Sequence, residues 1–177
     1  MNTFDRAATV QAASYLIKKS GGKHDMYCLI KMLYRADREM LKRWGMSITG
    51  ARAVSMRHGP VLSEVYDQAK GQRFDPMWTA HIEKVGYDLV LKQQADTDEL
   101  SQAALAILDE TYSELGGMGF SQMRNWAHSQ PECVETDRSC TLSRTNMLKP
   151  HGVTEESIQQ MEEDAELFNS FQAYFGV

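Results

Sequence analysis

The sequence lacks any apolar run near the roughly 18 residues that a membrane-spanning helix needs. Its opening, Met1-Asn2-Thr3-Phe4-Asp5-Arg6, lacks the basic-then-apolar order of a secretory signal. Cysteine is scarce: Cys28, Cys133 and Cys140 are an odd number and cannot all pair within the chain. Without a signal peptide, that count points to reduced thiols and a cytoplasmic location. Four prolines and twelve glycines exclude a collagenous or mucin-like chain. No internal repeat, low-complexity tract or linker divides the sequence. What is present is 177 residues, 20.1 kDa, with 42% hydrophobic and 24% charged residues. That is enough to bury a core without a disulfide or a metal, so a single domain over residues 1–177 is expected.

The formal net charge of −5 argues against a general nucleic-acid binder, yet the average conceals a split. Residues 1–80 carry 13 Lys/Arg against 7 Asp/Glu, a balance of +6; residues 81–177 carry 6 against 17, a balance of −11. The split is open to two readings. Either it marks a polarity for binding a partner, or the two halves neutralise each other inside one fold.

Helical periodicity dominates. Val10, Ala13, Leu16 and Ile17 mark a helix from about Arg6 to Ser20, closed by Gly21-Gly22. From Met26 to Trp44 the apolar residues Met26, Leu29, Ile30, Leu33, Tyr34, Met40, Leu41 and Trp44 recur mostly three or four apart. Lys31, Arg35, Arg38 and Lys42 fill the other face, and Gly45 supplies a left-handed cap. Between Ile48 and Met56 the pattern suits a loop with one short strand. Another helix is expected to begin at His58-Gly59-Pro60-Val61, with proline in its first turn, and to end at Gly71. Ile82, Val85, Tyr87, Leu89 and Leu91 come at alternate positions and suit a small hairpin. Ser101 would cap a helix ending at Gly116-Gly117, and Ser121 a short one carrying Met123, Trp126 and Ala127. Residues Pro131 to Pro150 read as a surface loop with its own turns. An acidic helix over about 154–175 follows, capped by Thr154 and striped by Ile158, Met161, Ala165, Phe168 and Phe171. The expected fold is mainly α (α+β): a compact helical domain with a small two- or three-stranded antiparallel sheet. Met46, Met56, Met77, Met118, Met123 and Met147 fall outside the strongest stripes; exposed methionines adapt to varied partners, but core packing is the reading for most of them.

Candidate chemistry is thin. His128, Cys133, Cys140 and His151 fall within 24 residues, but in a spacing unlike the close ligand pairs of structural zinc sites, so no metal is assigned. His24 and Cys28 stand four apart and could pair as base and nucleophile, yet Cys28 opens the most apolar helix and no third orienting group is identifiable. Gly116-Gly117-Met118-Gly119 lacks the strand and the Lys-Ser/Thr of a phosphate loop. No cofactor signature and no catalytic residue emerge. The basic face of the second helix reads as solvated or as facing an acidic protein partner, not as a specific nucleic-acid reader. Asp37, three residues after Tyr34, sits at the margin of the apolar face and therefore needs a partner. Arg57, His58 or a backbone N–H at Gly59-Pro60 could serve. Asp37 is thus either a buried polar tie or part of a binding pocket.

These residues carry a resemblance. Leu29-Ile30-Lys31-Met32-Leu33-Tyr34-Arg35-Ala36-Asp37 resembles the leading helix of the SocA/Panacea domain family, which includes GepA-like phage-associated proteins. Gly45-Met46-Ser47-Ile48-Thr49, Ala53, Gly59-Pro60-Val61, Val65-Tyr66, Leu100-Ser101, Ile107-Leu108-Asp109 and Trp126-Ala127-His128 with Pro131 follow in the family's order. The resemblance covers roughly residues 10–135. It departs at Ser47, at Trp126-Ala127 and at Glu132-Cys133, and it leaves the acidic C-terminal helix unmatched.

The resemblance implies an antitoxin of a type II toxin–antitoxin system, neutralising a cognate protein toxin by direct binding and not by catalysis. A proteolytic adaptor delivering the toxin to a ClpXP-type protease is the alternative it implies. An enzyme built on His24/Cys28, or on a pocket at Asp37, Arg57 and His58, is the reading from another class. Arg35, Arg38, Arg57 and His58 are the candidate partner-binding residues. Leu33, Tyr34, Asp37, Gly59, Pro60, Val61, Tyr66 and His128 are the motif residues, read as structural. The family-like part starts within about ten residues of Met1, so no DNA-binding domain is expected ahead of it. Nothing in the sequence sets an oligomeric state.

Overall fold

The computed structural model describes residues 4–134 and 138–175. Asp5 caps α1 (Arg6–Lys19) by accepting the Ala8 N–H at 2.9 Å. After β1 (Lys23–Asp25), Asp25 caps α2 (Met26–Trp44) in the same way through Cys28 N–H. Gly45, at φ 71°, ends that helix in the left-handed conformation the sequence called for.

Next comes a hairpin, β2 (Ala53–Met56) and β3 (Gly59–Leu62), where a helix start was expected. Met56 pairs with Gly59, so Arg57 and His58 form its two-residue tip. Pro60 pairs with Ser55 in β3, an edge strand where a missing N–H is tolerated, and helix α3 (Ser63–Lys70) begins only after Leu62. Proline fits both a helix's first turn and an edge strand, which is why the sequence misled here.

A short α4 (Pro76–His81), capped by Asp75, was not anticipated. It leads into the expected hairpin of β4 (Ile82–Val85) and β5 (Asp88–Leu91). Helix α5 (Gln102–Leu115) is capped by Ser101 as read. In α6 (Phe120–Ser129) the cap position is Gly119, and Ser121 lies inside the first turn. The 131–150 stretch contains a two-residue strand, β6 (Cys140–Thr141), and α7 (Arg144–Leu148), followed by a 3-10 turn (Lys149–His151). Residues 135–137 of that stretch lie outside the described residues. Helix α8 (Glu155–Phe175) closes the chain, with Ser157 N–H donating to Thr154.

The structure is 59% helical, with two small three-stranded antiparallel sheets among the described residues, ordered β1-β5-β4 and β3-β2-β6. The sequence suggested one sheet; the second arises because residues 59–62 pair with 53–56 instead of winding into a helix. A single hydrophobic cluster draws side chains from α1, α2, β3, α3, α5, α6, α7 and the start of α8. At its centre is α2, packed against α1, α3, α5, α6, α7 and β3. Of the α8 stripe only Ile158 is buried; Met161 and Ala165 are half-buried, and Phe168 and Phe171 are exposed. No helix among the described residues is long and apolar enough to cross a membrane.

Candidate functional site

A helix surrounded on every side has no solvent face, so the polar residues of α2 must find partners inside the protein. Fifteen of its nineteen residues are buried, Lys31, Arg35, Asp37, Arg38 and Glu39 among them. The expectation of a solvated basic face therefore fails for Lys31, Arg35 and Arg38. Two-faced periodicity shows where the strongest apolar stripe lies; it does not show that neighbours also close over the other side.

Asp37 is the tightest of these knots. Its Oδ1 accepts the backbone N–H groups of Ile48 (2.9 Å) and Thr49 (3.0 Å). Its Oδ2 accepts the hydroxyls of Ser47 (2.6 Å) and Thr49 (2.7 Å). Burial pushes its carboxyl above the ordinary value, against the four hydrogen bonds that favour the charge. Neither Arg57, His58 nor the Gly59-Pro60 backbone is its partner, as the sequence had suggested. Asp37 clamps the loop that follows its own helix, and the Ser47-Ile48-Thr49 turn is the mate it was chosen for.

The next residue, Arg38, projects from a different face of the helix. Its Nη1 donates to Glu132 Oε1 and Gln130 Oε1, each at 2.7 Å, and its guanidinium stands over the Trp126 ring. Tyr34 Oη donates to the same Glu132 oxygen at 2.9 Å, and His151 Nε2 lies 2.7 Å from the other. The Glu132 side chain is fully buried. Burial alone would raise its carboxyl, but the Arg38 charge and hydrogen bond, helped by His151, hold it below the usual range. The network thus joins α2, the end of α6 and the 3-10 turn. Arg35 is likewise committed, to Thr111 Oγ1 (2.7 Å) and Glu114 (2.5 Å) on α5.

The third knot lies at the hairpin. Lys31, wholly buried, donates to Pro60 O at 2.7 Å and stands over the Tyr27 ring; burial pushes its ammonium down to about 7. Tyr27 Oη donates to His58 O. Gly59, at φ +85°, lies so close to α6 that an added Cβ would stand 2.9 Å from Ala127 Cβ. The hairpin tip itself is exposed. There burial depresses the His58 imidazole, and the nearby positive groups of Arg124, Arg57, His128 and Lys31 add to the effect. The four candidate partner-binding residues therefore separate: Arg57 and His58 share an exposed tip, while Arg35 and Arg38 are internal.

The remaining motif residues occupy packing positions. Leu33 and Val61 are core, and Tyr66 is half-buried beneath Lys70. His128 is half-buried on α6, with its Nε2 buried and unpartnered among the described residues. Cys28 is buried, its thiol pushed up to about 12 first by burial and then by the Asp25 charge, and it donates weakly to Met118 O. His24 sits on β1, its imidazole lowered by burial. Among the described residues no three His, Cys, Asp or Glu side chains converge as metal ligands, and His151 is engaged by Glu132.

The motif order and the knots it ties find a match. A family model described as the SocA-like antitoxin, Panacea domain, aligns with residues 29–133 of the 177. The chain belongs to this SocA-like Panacea family. Its motif residues Leu33, Tyr34, Asp37, Gly59, Pro60, Val61, Tyr66 and His128 all fall within the matched span. Helices α1, α7 and α8 lie outside the Panacea match. No curated protein matches the chain. No solved structure does so either.

Sequence reasoning missed Lys31, Glu132, His151 and the Ser47/Thr49 hydroxyls as members of these Panacea knots. Only Thr49 carried a usable signal, standing in a motif turn after a helix that already held an unpaired carboxylate. Glu132 and His151 lie 94 or more residues from Arg38 or Tyr34 or reach them through each other, and no local spacing encodes such a meeting.

Proposed function

We propose that this chain is an antitoxin that neutralises a cognate protein toxin by direct binding, without chemistry of its own. The observation that carries this reading is its place in a family described as SocA-like antitoxins. The internal arrangement supports it. The polar residues of the motif helix are spent on holding loops and neighbouring helices in place, as a rigid binding scaffold requires. A buried thiol held protonated at neutral pH is a poor nucleophile, which counts against the His24/Cys28 enzyme. Asp37 is saturated by hydrogen bonds from its own loop, which counts against the Asp37/Arg57/His58 pocket.

The test is co-expression with the product of the neighbouring open reading frame. An antitoxin restores growth that the neighbour arrests, and the two proteins co-purify as a stable complex. Growth arrest without rescue and without a complex overturns the reading. Rescue should survive Cys28→Ala and His58→Ala; its loss in Cys28→Ala with the fold intact would revive the enzyme.

A further inference from the structure

Where α8 crosses the end of α2, the core stops short of the helix. Met161 packs on Gly45, but beyond that contact the wall of α8 and the opposite wall diverge into an open groove of 970 Å³. Trp44, Met46 and Met77 line one side and Phe168 the other, all between 43% and 61% exposed. Core packing holds for most of the six methionines: Met123 and Met147 are buried and Met56 and Met118 pack on the core. Met46 and Met77 are instead on the surface and form with Trp44 and Phe168 an apolar patch with no cover among the described residues.

Charge says what kind of cover would fit. Helix α8 carries six carboxylates (Glu155, Glu156, Glu162, Glu163, Asp164 and Glu166) and no Lys or Arg. Glu155 is paired with Lys149; the other five have no ion pair among the described residues. Asp164 is one of the groove-lining residues. Elsewhere in the acidic half several carboxylates are ion-paired internally, while among the described residues Glu83, Asp96, Asp98 and Glu99 are not. Lys19 meets Asp109, Arg43 meets Glu110, Arg35 meets Glu114 and Arg38 meets Glu132. The one cation lining the groove, Arg6, lies 3.6 Å from Asp75. Five carboxylates without an ion pair among the described residues thus lie along one helix, α8, with no cation on it.

We propose that this groove is a docking surface for a basic amphipathic segment of the partner protein, its apolar face on Trp44, Met46, Met77 and Phe168 and its Lys/Arg flank along α8. The inference rests on the binding role proposed above and adds the surface and the chemistry of what fits it. Apolar anchors at the centre with complementary charge at the edge are what a specific interface needs. Trp44, Met46 and Met77 lie within the Panacea match and the α8 wall lies beyond it, so the surface is shared between the matched domain and the C-terminal helix.

Two measurements on the full chain test it. In the first, affinity for the neighbouring gene product is measured for the wild type, for Met77→Ser/Phe168→Ser, for Glu163→Lys/Asp164→Lys and for Arg57→Glu, with circular dichroism confirming the fold of each. Both groove variants should weaken binding at least about tenfold, and the charge variant should flatten the salt dependence. Wild-type affinity in both groove variants, or a loss confined to Arg57→Glu, overturns the groove and leaves the antitoxin reading standing. In the second, a synthetic Leu/Lys amphipathic helix and its Leu/Glu counterpart are titrated against the chain, with Trp44 emission isolated by subtracting Trp44→Phe. A shift with the Lys peptide alone supports the groove even where the neighbouring product proves not to be a toxin. Equal responses, or none, overturn it. So does a homodimer in sedimentation that Met77→Ser/Phe168→Ser disperses, which would make the face a contact between copies of this chain.

Discussion

Asp37 and Thr49 are joined twice: one carboxylate oxygen takes the Thr49 backbone N–H and the other takes its hydroxyl, at 3.0 and 2.7 Å. A hydroxyl and an amide from one residue fix both its position and its rotamer, and Ser47 and Ile48 complete the clamp. The loop that leaves α2 is thereby turned back towards β2, whose hairpin presents the Arg57-His58 tip.

Asp37→Leu should therefore be severely destabilising. It strands two backbone N–H groups in the interior, each at a cost of about 1–3 kcal/mol, besides two hydroxyls. Asp37→Asn keeps one acceptor oxygen and should lie between wild type and Asp37→Leu. Urea midpoints check the order, and an unchanged midpoint in Asp37→Leu would mean that the clamp contributes nothing.

Glu132 gives an acid-side prediction. Its carboxyl is lower in the folded protein than in the unfolded chain, so the unfolded state binds more protons as pH falls below the ordinary glutamate range. The stabilisation is fully present above that range and is lost as pH drops towards the folded value. Melting temperatures between pH 3 and 7 should fall more steeply for the wild type than for Glu132→Gln. At neutral pH, Arg38→Ala should cost about 3–5 kcal/mol by leaving a buried carboxylate unpaired. Arg38→Met/Glu132→Leu should cost less than Arg38→Ala does, since neither charge is then stranded.

Lys31 predicts a slope of the same sign on the alkaline side. Its ammonium is held down at about 7 by burial, well below a free lysine, so from pH 7 upwards the unfolded chain binds the extra proton. Stability should rise with pH across that window, approaching about 1.4 kcal/mol per pH unit from this group alone. Lys31→Met removes the group, and the difference between the two stability curves between pH 7 and 10 isolates it. A difference that does not change with pH would place the ammonium in contact with water.

How legible this was depends on how local each signal is. The bounds of α2, the Gly45 cap, the Ser101 and Thr154 caps and the 82–91 hairpin were readable because each is written in neighbouring residues. Pro60 was ambiguous between a helix's first turn and an edge strand, and only the pairing of 53–56 with 59–62 decides it. The need of Asp37 for a partner was readable; the partner was not, because Arg57 and His58 looked chemically better suited than a Ser/Thr turn. The burial of Lys31, Arg35 and Arg38 was unreadable for a different reason. Amphipathic spacing describes one helix, whereas their burial is produced by α5, α6 and β3 arriving from distant sequence.

Gly59 carries two separate requirements, and they can be pulled apart. Its φ of +85° is disfavoured for any residue with a Cβ, and the Cβ would also meet Ala127 at 2.9 Å. Gly59→Ala should lower stability by more than the about 1–3 kcal/mol that backbone strain alone explains. Gly59→Ala combined with Ala127→Gly removes the collision and keeps the strain. It also introduces a helical glycine in α6, costing about 1 kcal/mol, which the Ala127→Gly single variant measures. If the hairpin truly seats on α6 through this contact, the double variant will be more stable than the two single costs added together. Strict additivity in chemical denaturation would show that the hairpin simply moves away from Ala127, with only the backbone conformation demanding glycine.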